Sequence, residues 1–212
     1  MPNAVKVKIC GVASPENAQL VAQAGADAIG LNFYPPSSRY LNSLSLARDI
    51  AQAVPPFVSV VALMVNASAA EVEAVLAQVP VSLLQFHGDE DAAFCEQFDR
   101  PYIKALRMKS DMNVKQAIEA YDSASGILLD AYRPGVPGGT GECFDWDRIP
   151  SAPKKPIILA GGLTPDNVAQ AVSQVHPWAV DVSGGVEASP GLKSAPLVSA
   201  FVQNAKGATQ SV

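Results

Sequence analysis

Short apolar runs recur along the chain at Val5 to Cys10, Ala28 to Phe33, Val58 to Val65, Val81 to Phe86, Tyr102 to Leu106, Gly126 to Asp130, Ile157 to Ala160 and Ala179 to Ser183. Each reads as a strand, which makes eight. Helical signals lie between them. Ser14-Pro15-Glu16 opens one helix with an N-cap and a proline, Ser68 to Val79 spaces Val72, Val75, Leu76 and Val79 at helical intervals, and Thr164-Pro165-Asp166 opens another. Strands alternating with helices imply a parallel sheet.

Eight such units predict a closed (β/α)8 TIM barrel, a single domain over residues 1–212. At 212 residues the chain is shorter than the roughly 250 typical of the fold, so some helices must be short or missing. The sixth unit is the reduced one: Tyr132 to Pro153 is rich in Gly and Pro, and only Phe144 to Ile149 offers a helical turn. A doubly wound open sheet is the alternative, but Cys10-Gly11-Val12-Ala13-Ser14 lacks the glycine fingerprint of a dinucleotide loop.

Composition narrows the function. The chain is 49% hydrophobic with a formal net charge of −5 and no Lys/Arg cluster, which argues against nucleic acid as the main partner. No run approaches the roughly 18 apolar residues of a membrane span, so the expectation is a soluble, cytoplasmic protein with no membrane partner. Three cysteines (Cys10, Cys95, Cys143) without metal-type spacing, and two histidines, predict neither a disulfide framework nor a metal site.

Two strands end in glycine pairs, Ala160-Gly161-Gly162 and Ser183-Gly184-Gly185. Glycines between a strand and a helix let backbone N–H groups approach an anion, so two adjacent loops of this kind predict one phosphate held between them. The partner is then a small phosphorylated molecule. In a barrel the strand C-termini converge on one mouth. Reading each strand at its end places Cys10, Asn32, Phe33, Asn66, Gln85, His87, Arg107, Asp130, Asp181 and Ser183 there.

Among these, Cys10 and Asp130 have the chemistry of a base and an acid. Each alone is wrongly poised at neutral pH. Two anions close together would repel, share one proton and titrate as a coupled thiolate and carboxylic acid. Arg39, in the stiff loop Phe33 to Tyr40, offers a fork to a carboxylate. Gly139, Thr140 and Gly141 have the glycine content of a mobile cover over bound ligand. Phe144-Asp145-Trp146 reads as its anchor, with Asp145 as a cap, and His176 falls at the opposite end of the barrel.

Taken together, Lys8-Ile9-Cys10-Gly11, Phe33-Tyr34-Pro35 leading to Arg39-Tyr40, Gln85-Phe86-His87-Gly88, Leu129-Asp130, Gly138-Gly139-Thr140-Gly141, Ala160-Gly161-Gly162-Leu163 and Asp181-Val182-Ser183-Gly184-Gly185-Val186-Glu187 resemble the phosphoribosylanthranilate isomerases of tryptophan biosynthesis. The resemblance runs from Lys6 to about Phe201. It implies a cofactor-free enzyme for an Amadori rearrangement, in which Asp130 is the general acid and Cys10 the general base. It further implies that Arg39 holds the anthranilate carboxylate and that Gly161, Gly162, Ser183, Gly184 and Gly185 hold the phosphate; Gln85, His87 and Asp181, at the strand ends, are expected to contact substrate. Gly184 replaces the family's frequent Ser, and Pro36-Ser37-Ser38 replaces the commoner Lys-Ser-Pro. Another phosphosugar barrel enzyme and a non-catalytic phosphate-binding barrel are the rival readings. The sequence leaves a monomer and a homodimer equally open.

Overall fold

Strand β1 (Lys6–Cys10) pairs in parallel with β2 (Ala28–Asn32) on one side and with β8 (Ala179–Val182) on the other, which closes the sheet. The remaining staves run in chain order: β3 (Ser59–Met64), β4 (Leu83–Phe86), β5 (Tyr102–Met108), β6 (Gly126–Ala131) and β7 (Ile157–Leu159). This is the expected eight-stranded parallel barrel. The computed structural model describes residues 4–131 and 145–208.

The helices are α1 (Pro15–Gln23), α2 (Leu44–Gln52), α3 (Ala69–Gln78), α4 (Ala92–Glu96), α5 (Val114–Glu119), α6 (Val168–Val175) and α7 (Ala195–Gly207). Side chains start them where the sequence offers caps. Ser14 Oγ accepts from Asn17 N–H, and Ser68 with Glu71 forms a reciprocal capping box before α3. Helix α6 departs from expectation. It begins at Val168 rather than after Thr164, because the Asn167 side chain accepts the Thr164 N–H and donates to Gly162 O, which holds residues 162–167 in a turn. In the sixth unit the described residues hold one 3₁₀ turn, Trp146–Arg148, capped by Asp145 as expected.

The strands are buried on both faces, and the period of two sorts their residues. Ile9, Ile29, Leu84, Phe86, Ile127, Leu129 and Val180 face the helices in the main core. Ile103, Ala105, Leu128, Ile158, Ala160 and Ala179 fill the barrel as a second, smaller cluster. The same inward parity carries Cys10, Gln85, Arg107, Asp130 and Asp181 toward the mouth. A hairpin of β9 (Glu187–Ser189) and β10 (Leu192–Lys193) follows β8 and brings Glu187 and Lys193 to that end.

Candidate active site

A cavity of about 630 Å³ opens at the C-terminal ends of the strands, lined by Cys10, Arg39, Gln85, His87, Asp130, Gly161, Gly162, Asp181, Ser183, Gly184 and Gly185, among others. Every residue expected to act on or bind substrate, within the described residues, is on that wall. Gly139, Thr140 and Gly141 lie outside the described residues. Phe33 and Asn66 do not line the cavity; the Asn66 backbone N–H instead donates to Glu90 Oε1 at 2.7 Å. A second cavity of about 680 Å³ lies at the opposite end, between Ala4, Trp146, His176 and Trp178. It contains none of the strand-end polar groups.

Cys10 is 6% exposed and has Lys8 two residues below it on the same inward face. Lys8 Nζ donates to Asp181 Oδ1 at 2.8 Å, and both side chains are buried. This contact follows from register, since Lys8 and Asp181 are paired residues of β1 and β8. Gly30 makes the space. A Cβ there would stand 2.8 Å from Cys10 Sγ and 3.1 Å from Lys8 Nζ, so only glycine lets both groups occupy the barrel top at once. Burial pushes the Cys10 thiol up, Lys8 pulls it down, Asp181 pushes it up and Lys193 pulls it down, with a raised value as the net result.

The charged groups acting on Cys10 include Lys8, Asp181 and Lys193. Asp130, 4% exposed, meets His87: Nε2 of the imidazole is 3.1 Å from Asp130 Oδ2. Gln85 Nε2 is 3.0 Å from His87 Nδ1. The imidazole thus bridges the Gln85 amide and the Asp130 carboxyl through its two ring nitrogens. Arg107, the register partner of Asp130, donates to His87 O at 3.0 Å and fixes the loop. Gln85 and His87, expected on substrate, line the cavity and also form a hydrogen-bonded chain that ends on Asp130.

Arg39 also has an internal partner. Its Nε and Nη2 each donate to Glu187 at 2.7 Å, the bidentate fork anticipated for a bound carboxylate. Glu187 is in turn held by Lys193 Nζ at 2.8 Å. Burial pushes Glu187 up, but hydrogen bonds from Arg39 and Lys193 outweigh it and hold the carboxyl below its usual range. Burial also lowers Lys193 despite Glu187. Two donors of the Arg39 fork are therefore occupied. In the preceding loop, Ser37 Oγ accepts from Asn32 Nδ2 and from the Arg39 N–H, both at 3.1 Å, so the Pro36-Ser37-Ser38 variant keeps a defined shape.

The glycine loops touch. A Cβ on Gly185 would lie 2.0 Å from Leu163 O, which places the turn after β8 directly on the one after β7. Gly161 and Gly162 both have positive φ, at 80° and 67°. Gly184–Val186 forms a 3₁₀ turn, whose first N–H groups lack partners within the turn. Ser183 Oγ donates to Cys10 O at 3.0 Å, so its hydroxyl ties this loop to β1.

Lys8, Glu187 and Lys193 are the participants the sequence reading left without a role. Lys8 had a legible signal: it is a charge flanked on both sides by apolar strand residues, two residues before the candidate base. Among the described residues no group of three metal-binding side chains occurs.

The profile of the family described as N-(5'phosphoribosyl)anthranilate (PRA) isomerase matches residues 7–204. A Pseudomonas fluorescens (strain Pf0-1) protein named N-(5'-phosphoribosyl)anthranilate isomerase is 57% identical over 200 residues, 94% of this chain and 98% of its own. Its Alcanivorax borkumensis counterpart is 52% identical over 208 residues, 95% of each chain. The crystal structure of phosphoribosyl anthranilate isomerase from Thermotoga maritima superposes with a TM-score of 0.85 at 39% identity, covering 96% of this chain and 99% of that one. A further isomerase structure, with reduced 1-(o-carboxyphenylamino)-1-deoxyribulose 5-phosphate bound, gives 0.82 at 37% identity, with coverage of 96% and 99%. A polar barrel mouth with a thiol, a carboxyl and two joined glycine loops, together with this likeness along the chain, makes the protein a member of the phosphoribosylanthranilate isomerase family.

Proposed function

We propose that the mouth cavity converts N-(5-phospho-β-D-ribosyl)anthranilate into 1-(2-carboxyphenylamino)-1-deoxyribulose 5-phosphate with Asp130 as general acid and Cys10 as general base. Asp130 gives its proton to the furanose ring oxygen as the bond from that oxygen to C1′ breaks, which opens the ring to a Schiff base. The Cys10 thiolate then takes the C2′ proton. The resulting enolamine tautomerises to the ketone. One observation carries the reading: Cys10 and Asp130 share a cavity wall with the two glycine loops and with Arg39.

The glycine loops take the phosphate, with backbone donors at Gly161, Gly162, Ser183, Gly184 and Gly185. Arg39 takes the anthranilate carboxylate through the donors that Glu187 leaves, and Asp181 reaches a sugar hydroxyl with the oxygen that Lys8 does not hold. Two anchored ends fix the reacting carbons between acid and base. Every role comes from one chain, so the site works alike in a monomer and a homodimer.

The test is turnover of Cys10→Ala and Asp130→Asn, followed by the loss of substrate fluorescence. Each is expected to lose on the order of 10²-fold or more in kcat with KM nearly unchanged. Near-wild-type turnover in either would overturn its assignment.

A further inference from the structure

Lys8 is a charged residue where the barrel otherwise packs Ile103, Leu128, Ile158 and Ala179. An apolar side chain would fit such surroundings without the desolvation cost of a buried ammonium, and a buried ion pair seldom recovers that cost by itself. Asp181 occupies one of the three ammonium hydrogens. The period of the strand aims the same group at Cys10, and the missing Cβ of Gly30 leaves sulfur and nitrogen facing one small space.

We propose that Lys8 is a positioning residue for the base: its ammonium, anchored by Asp181, stands beside Cys10 and stabilises the negative charge the sulfur carries before it accepts the C2′ proton. This rests on Cys10 being the base. Burial disfavours the Lys8 charge, but Asp181 and Cys10 outweigh it and keep the group protonated, so Lys8 donates a hydrogen bond and moves no proton of its own. The charged groups acting on the thiol come from three elements: Lys8 on β1, Asp181 on β8 and Lys193 on β10; Arg39, in the loop after β2, feels the thiol in turn. Lys8 acts on it more strongly than Asp181 does.

The two members of the pair therefore push Cys10 in opposite directions, although removing either one breaks the same contact. Iodoacetamide labelling of Cys10 against pH, resolved by mass spectrometry of the Cys10 peptide, reads the thiolate directly and needs no turnover. Lys8→Met is expected to raise the labelling midpoint by about one pH unit or more, and Asp181→Asn to lower it. Lys8→Arg should stay near wild type. Should Lys8→Met not fold, Lys8→Met/Asp181→Asn removes both charges, and its midpoint should lie above that of Asp181→Asn. The acidic limb of kcat/KM should follow the Lys8→Met midpoint. An unmoved midpoint, or a shift of the same sign in both single variants, would overturn the proposal. Turnover surviving in Cys10→Ala would instead remove the base assignment, with the labelling shifts intact.

Discussion

His87 Nε2 and Asp130 Oδ2 lie 3.1 Å apart over the end of β5, although the residues are 43 positions apart in sequence. The Gln85 amide lies 3.0 Å from the other ring nitrogen, so the imidazole is held from both sides. The other carboxyl oxygen, Oδ1, faces the first glycine loop. A Cβ at Gly161 would stand 2.8 Å from that oxygen, so the first glycine loop leaves it room.

His87→Ala removes the hydrogen-bond partner of the acid and is expected to lower kcat by about tenfold or more, with KM changed only a few-fold. His87→Gln keeps an N–H donor and should recover part of the loss. Steady-state fluorimetry of both variants checks this; equal activity in the two would count against orientation through the hydrogen bond.

Arg39→Ala is expected to raise KM by about tenfold or more while sparing most of kcat, since the contact is with the part of the substrate that does not react. Glu187 affects stability as well. Its carboxyl sits below the ordinary range when folded, so its contribution is fully present above that range and is lost as pH falls through the depressed value. Thermal melts between about pH 5 and pH 3 should therefore steepen for the wild type relative to Glu187→Gln.

Gly30→Ala would place a methyl 2.8 Å from Cys10 Sγ and 3.0 Å from its Cα. Sulfur or backbone must move. Overpacking of this kind costs about 1–3 kcal/mol, so the barrel should still fold, with kcat reduced by about tenfold or more. Circular dichroism alongside the fluorescence assay separates the two effects.

The strands were legible because each is an apolar run between polar turns. Their ends were less so. Leu83 rather than Val81 begins β4, and β5 runs on to Met108 because Arg107 and Met108 find register partners in Asp130 and Ala131. The wall of the site followed from reading strand ends, since in a barrel position along a strand fixes depth. Who pairs with whom did not follow. Arg39 and Glu187 are 148 residues apart, and only the β9/β10 hairpin folding back over the mouth brings the carboxylate to the fork. Nor did the immediate neighbours of the thiol and the carboxyl: Asp181 reaches Lys8 beside Cys10 from β8, and His87 meets Asp130 from the loop after β4.

The bond between Lys8 and Asp181 also spans the seam where the first strand of the chain meets the last. The charge beside Cys10 is completed only when β8 docks, so a ribosome-bound or truncated chain that stops short of residue 181 has its sulfur in place without the lysine's anchor. Chemical competence in this protein is thus a report that the circle has been closed.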